Sequence, residues 1–83
     1  MNKFELKTKL EQAGICSAAF TLDGGLPNEQ YVLNQEAKGK WEVYYSERGQ
    51  KTGLRYFDSE SDACQFFLEH VLHDPTTKRR ERS

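Results

Sequence analysis

Residues 40–46 read KWEVYYS, and their strict alternation restricts the fold more than any other stretch of the chain. In an extended backbone successive side chains point to opposite faces. Trp41, Val43 and Tyr45 therefore share one face, and Glu42, Tyr44 and Ser46 share the other. A helical period would scatter the three large apolar groups around its circumference. The segment reads as a strand whose core face is Trp41, Val43 and Tyr45, so the chain must supply neighbouring strands and a cover for that face.

The cover comes from the two ends of the chain. Leu6, Leu10 and Ala13 recur at helical spacing and predict a helix over residues 3–13, stopped by Gly14 with Ile15 folding back on its last turn. Ser59 is a good N-cap, Asp62 stands at the capping-box position, and Glu60 and Asp62 suit the positive end of a helix. Ala63, Cys64, Phe67, Leu68 and Val71 then form one apolar stripe, ending near His73 before Pro75.

Between the helices, residues 17–22 (SAAFTL) predict a short strand and residues 23–29 (DGGLPNE) a turn. Residues 31–34 form the next strand, joined to residues 40–46 by a hairpin containing Gly39. A second turn over residues 47–53 leads to a strand at 54–57, where Tyr56 and Phe57 are both large enough to face inward. The expected fold is α+β: a three- to four-stranded antiparallel sheet with the N- and C-terminal helices packed on one face and the other face open to solvent. Residues 1–75 make a single domain with a small core, and residues 76–83 read as a disordered basic tail.

Composition excludes several classes. With 36% hydrophobic and 30% charged residues the chain can form a folded domain. Its apolar runs are too short to span a bilayer, and the opening MNKFELKTKL has no apolar signal core, so the expected location is the cytoplasm. Cys16 and Cys64 belong to no C-x-x-C and read as reduced thiols, while His70 and His73 have no third ligand at a suitable spacing. Neither a metal nor a cofactor is expected. No histidine is placed to activate Cys16, and so small a chain has little room for a pocket that retunes a carboxylate, so catalysis is not expected either. Gly24 and Gly25 lead into a strand, not a helix N-terminus, which makes them a turn and not a phosphate cradle.

What remains is binding. Residues 78–83 carry four basic groups against Glu81, whereas residues 1–77 hold eight basic and twelve acidic groups, a body of −4 beside a tail of +3. The outward face of residues 40–49 presents Glu42, Tyr44, Glu47 and Arg48, the tyrosine–arginine chemistry of protein interfaces, and the preceding loop presents Asp23, Asn28 and Glu29. The plainer alternative makes Glu42 an ordinary cross-strand partner of Arg55. A different class of function is a small nucleic-acid-binding regulator, with the tail on phosphates and Tyr44, with Tyr31 or Tyr56, stacking on bases, although Glu42 and Glu47 would oppose it. The same tyrosines would also serve a homodimer.

The strings GGLPNEQYVL (residues 24–33) and KWEVYYSERGQKTGLRYFDSESDAC (residues 40–64), followed by a short apolar helix, resemble small immunity proteins of polymorphic toxin systems in Firmicutes. The likeness covers residues 6–72 and leaves out the basic tail. It implies a cytoplasmic, non-enzymatic protein that neutralises a cognate toxin by direct contact at or near the toxin's active site. The resemblance assigns no contact residues, so those named above rest on surface chemistry. Opposite charge speeds encounter, and an acidic body would suit a basic toxin such as a nuclease.

Overall fold

The computed structural model describes residues 1–37 and 39–74, so the expected basic tail lies outside the described residues. Helix α1 spans Lys3–Gln12. Asn2 opens it through a capping box: its side chain accepts from the Glu5 N–H, and the Glu5 carboxylate accepts from the Asn2 N–H. At the other end Gly14 takes φ 79°, and the N–H groups of Gly14 and Ile15 donate to the carbonyls of Glu11 and Leu10, the paired bonds of a Schellman motif. Ile15 is buried, as its position after the cap requires.

A single 3-10 turn, Ser17–Ala19, precedes strand β1, Phe20–Thr21. Strands β2 (Gln30–Ala37), β3 (Lys40–Glu47) and β4 (Gln50–Phe57) follow, and helix α2 covers Glu60–Leu72. The sheet order is β1-β2-β3-β4. The last three strands are antiparallel neighbours, but β1 runs parallel to β2, with Phe20 opposite Tyr31 and Thr21 opposite Val32. The fold is α+β as expected, and the sheet is mixed where an all-antiparallel one was expected. The reason is the connection: residues 22–29 do not close a hairpin but turn back over the sheet, so the chain re-enters it in the same direction.

The β3–β4 turn is also tighter than expected. Arg48 and Gly49 both have positive φ (52° and 75°), as a two-residue hairpin of matching twist demands. Strand β4 therefore begins at Gln50. Gly53, at φ 65°, lies where the register slips between Val43 and Tyr45, so it marks a bulge within the strand and not the end of a long turn.

One face of the sheet carries the main core. Leu33, Trp41 and Val43 meet Leu6, Leu10 and Ile15 from the N-terminal segment and Ala63, Cys64, Phe67 and Val71 from α2. The Ser59 hydroxyl caps α2 by accepting from the Asp62 N–H. Phe57, opposite Trp41, packs against this core, and Tyr56 is 61% exposed, which decides between the two. Leu68 and Tyr45 are half-buried at the margin.

The opposite face is not wholly open to solvent. Val32, Glu42, Tyr44 and Ser46 are all buried there. Residues 22–29 cover them, pinned at three points: the Gly24 N–H donates to the Leu33 carbonyl, the Tyr44 hydroxyl to the Gly25 carbonyl, and the Arg48 N–H to Asn28 Oδ1. Strand β3 is thus buried on both faces, and its second cover is a glycine-containing loop with no apolar period to announce it.

Candidate functional site

The covering loop is held by polar groups. Glu42, only 1% exposed, accepts through Oε1 from Asn34 Nδ2 at 2.8 Å and from Lys51 Nζ at 3.1 Å. Its hydrogen bond raises the pKa of Lys51, whose ammonium also sits 4.7 Å from the centre of the Tyr44 ring. Burial raises the pKa of Tyr44, Lys51 works against that shift and Glu42 adds to it. At Gly24, which has φ 74°, an added Cβ would collide with Asn34 Oδ1, so a side chain there would have to displace the amide that donates to Glu42, at a backbone angle that favours glycine.

Glu42 and Tyr44 therefore offer no surface to a partner, contrary to the outward orientation expected of them. Tyr44 supports the loop from beneath, and Glu42 bonds the strands on either side of β3. Glu42 lies opposite Tyr56, and Arg55 opposite Val43 on the helix side, with its guanidinium carbon 5.6 Å from the Phe66 ring centre, so the expected Glu42–Arg55 pair does not form. Burial of Tyr44 also removes the central ring of the expected base-stacking face. Ser46 Oγ is buried with no hydrogen-bond partner among the described residues.

The other expected contact residues divide by position. Asn28, Glu29 and Arg48 are exposed and Glu47 is half-buried, and all four gather where the loop meets the β3–β4 turn. Asp23, at the far end of the loop, is exposed and lies 3.7 Å from Lys3 Nζ, away from this group. Glu29 has φ 56° and Arg48 φ 52°. The hairpin explains Arg48. At Glu29 a left-handed backbone costs on the order of 1–2 kcal/mol and turns the chain from the loop into β2.

Beside Glu29 is a notch of about 220 Å³ lined by Cys16, Ala18, Ala19, Glu29, Tyr31, Tyr45 and Asp74. The two phenol rings meet edge-on with centres 4.9 Å apart, and the Tyr31 hydroxyl donates to Asp74 Oδ2 at 2.9 Å. Burial, then the hydrogen bond and charge of Asp74, push the Tyr31 pKa up to about 12. Burial raises the Tyr45 pKa too, and the charges of Glu29, Glu47 and Asp74 reinforce it. The pattern of residues 40–46 put Tyr45 wholly in the core, Tyr31 was singled out only as a possible base-stacking ring beside Tyr44, and nothing marked Asp74 as a site residue. Only the hairpin register, which sets Tyr31 opposite Tyr45, would have found the pair.

A wider groove of about 420 Å³ runs between α1 and β1, but Lys3 and Asp23, both on its lining, pair with each other. Among the described residues no group of His, Cys, Asp or Glu is arranged to hold a metal ion. No described helix is long and apolar enough to cross a membrane. No family model, no curated protein and no solved structure matches the chain.

Proposed function

We propose that this chain is a non-enzymatic protein-binding module of the immunity type, acting in the cytoplasm to neutralise a cognate bacterial toxin by direct contact. The contact surface is the end of the sheet bearing Asn28, Glu29, Glu47 and Arg48. The observation that carries this reading is the hydrogen bond from the Arg48 N–H to Asn28 Oδ1, which joins the loop and the turn into one exposed surface over the buried Glu42–Tyr44 support. A surface ordered before binding loses less entropy on association. Its carboxylates, on a body of −4, favour a basic partner, and a nuclease is one such toxin. The sequence resemblance supports the same class.

The test uses the tagged protein as bait in its producing cell, with and without residues 76–83, and identifies what is captured by mass spectrometry. The captured domain is then expressed alone and together with the bait. The expected result is one protein domain recovered by both baits, whose expression arrests growth and is rescued by the wild-type chain but not by Glu29→Arg/Glu47→Arg. Recovery of nucleic acid only when the tail is present, or of a partner without toxicity, refutes the proposal.

A further inference from the structure

We infer that the outer face of α1 is the contact of a two-fold dimer of this chain, in which Phe4 of each protomer packs over the partner's Gly14 and Lys7 pairs with the partner's Glu11. This face holds none of the residues assigned to the toxin contact, so the dimer stands or falls apart from that function. Phe4 is 85% exposed, more than any other large hydrophobic side chain among the described residues. A lone exposed ring needs no explanation. This one stands on the rim of the 420 Å³ groove between α1 and β1, and the half-buried Phe20 and Leu22 line the same groove. Its exposure shows that Phe4 does not fill the groove of its own chain, so an apolar knob and an apolar recess lie side by side, both unsatisfied.

The order of residues along the helix points to a second copy as the occupant. Phe4, Lys7, Glu11 and Gly14 follow one another at i, i+3, i+7 and i+10, one stripe about 15 Å long, clear of the buried Leu6 and Leu10. A two-fold axis through the middle of the stripe sets two copies antiparallel and exchanges its ends. Phe4 and Gly14 are equally far from that middle, and so are Lys7 and Glu11. The operation therefore lays each ring over a glycine and each cation beside an anion, twice. Gly14 suits the ring: it has no side chain, the space where a Cβ would stand is open, and Ser17 and Phe20, which follow it, line the groove. Lys7 and Glu11 are exposed, and among the described residues neither side chain makes a hydrogen bond or ion pair, whereas Lys3 is already held by Asp23. An unrelated partner needs no such palindrome, but a contact between identical patches does. The stripe is short against the roughly 1,200 Å² that a stable interface buries, so the association should be weak and reversible.

The experiment is sedimentation velocity of the full chain from about 10 μM to about 1 mM, a range that brackets a dissociation constant on the order of 100 μM. The expected result is a mass that rises from monomer towards dimer across the range. Phe4→Ala and Lys7→Glu change exposed positions, so both variants should fold, and each should weaken the dimer about tenfold or more. Lys7→Glu/Glu11→Lys restores opposite charges across the axis and should return the affinity to within about threefold of the wild type. Amide shifts on dilution, followed by NMR, should centre on Phe4, Gly14 and Ser17. A chain that stays monomeric at the highest concentration overturns the inference, and so does a dimer unaffected by Phe4→Ala. A double reversal no better than Lys7→Glu alone, or a dimer lost when residues 76–83 are removed, would do the same, the last by making the tail the contact.

Discussion

Tyr44 gives the sharpest test of the covered sheet. It is 2% exposed, its ring lies under residues 22–29, and its hydroxyl donates to the Gly25 carbonyl. Truncating a buried aromatic to alanine costs about 3–5 kcal/mol, and Trp41→Ala on the opposite face belongs in the same range. A domain of this length has a total stability of about 4–12 kcal/mol, so Tyr44→Ala removes a large share of it. Tyr44→Phe keeps the ring and loses one hydrogen bond, worth about 0.5–1.5 kcal/mol net. Gly25 is exposed, so water can replace the lost donor and hold the loss near the lower figure. Urea unfolding followed by Trp41 fluorescence measures both changes. A loss below about 1 kcal/mol for Tyr44→Ala is the behaviour of a solvent-facing residue. It would mean that the loop does not cover this face, and would return Tyr44 to the surface available for binding.

Three further expectations follow from single contacts. Gly24→Ala meets Asn34 Oδ1 at a positive φ and should lose more than about 1 kcal/mol, with Gly25→Ala, where a Cβ meets open space, losing less; equal shifts in thermal midpoint would deny the crowding. Ser46→Ala removes a buried hydroxyl with no partner among the described residues and should be neutral or stabilising in urea, so a loss above about 1 kcal/mol would reveal a hydrogen bond to that oxygen. Tyr31 holds its proton more tightly when folded, with its pKa moved from 10.0 to about 12, so its contribution is complete below pH 10 and is lost as pH rises towards 12. Stability measured through that window should fall less steeply in Tyr31→Phe, an identical slope being the contrary result.

The legible parts of this fold are the local ones. Gly14 and Ile15 announce the end of α1 because a Schellman cap is built from adjacent residues. Trp41 and Val43 announce the helix-covered face because alternation within one strand fixes which side chains share a face. Alternation does not say how many faces are buried. Glu42 and Tyr44 look solvent-facing because their polar atoms would be costly to bury alone, and the groups that offset this cost, Asn34, Lys51 and Gly25, lie on other elements. Gly49 and Gly53 looked like one long turn because a hairpin glycine and a bulge glycine are identical in sequence. In the site, Asn28, Glu29, Glu47 and Arg48 were visible because they sit in or beside turns. Asp74 was not, and Tyr31 was visible only as a stacking ring beside Tyr44, since only tertiary packing brings the two together with Tyr45.

Burial of Glu42 and Tyr44 changes how mutations at this surface should be read. Tyr44 bonds the loop that carries Asn28 and Glu29, and Glu42 bonds the strands beneath it, so on the proposed function their loss is expected to weaken binding without removing any contact. A scan scored by affinity alone would count them among the interface residues. The two mechanisms separate in the kinetics. If the proposed function holds, neutralising Glu29 or Glu47 removes charge from the encounter surface and should lower the association rate in a salt-dependent way. Tyr44→Phe leaves every surface charge in place and loosens the loop, so binding must order it again, at about 0.5–1.5 kcal/mol for each side chain immobilised. That loss should leave the salt dependence of association unchanged. A Tyr44→Phe variant that instead lost its salt dependence would mean that the hydroxyl fixes where the carboxylates stand, and that loop order and surface charge in this domain are one property.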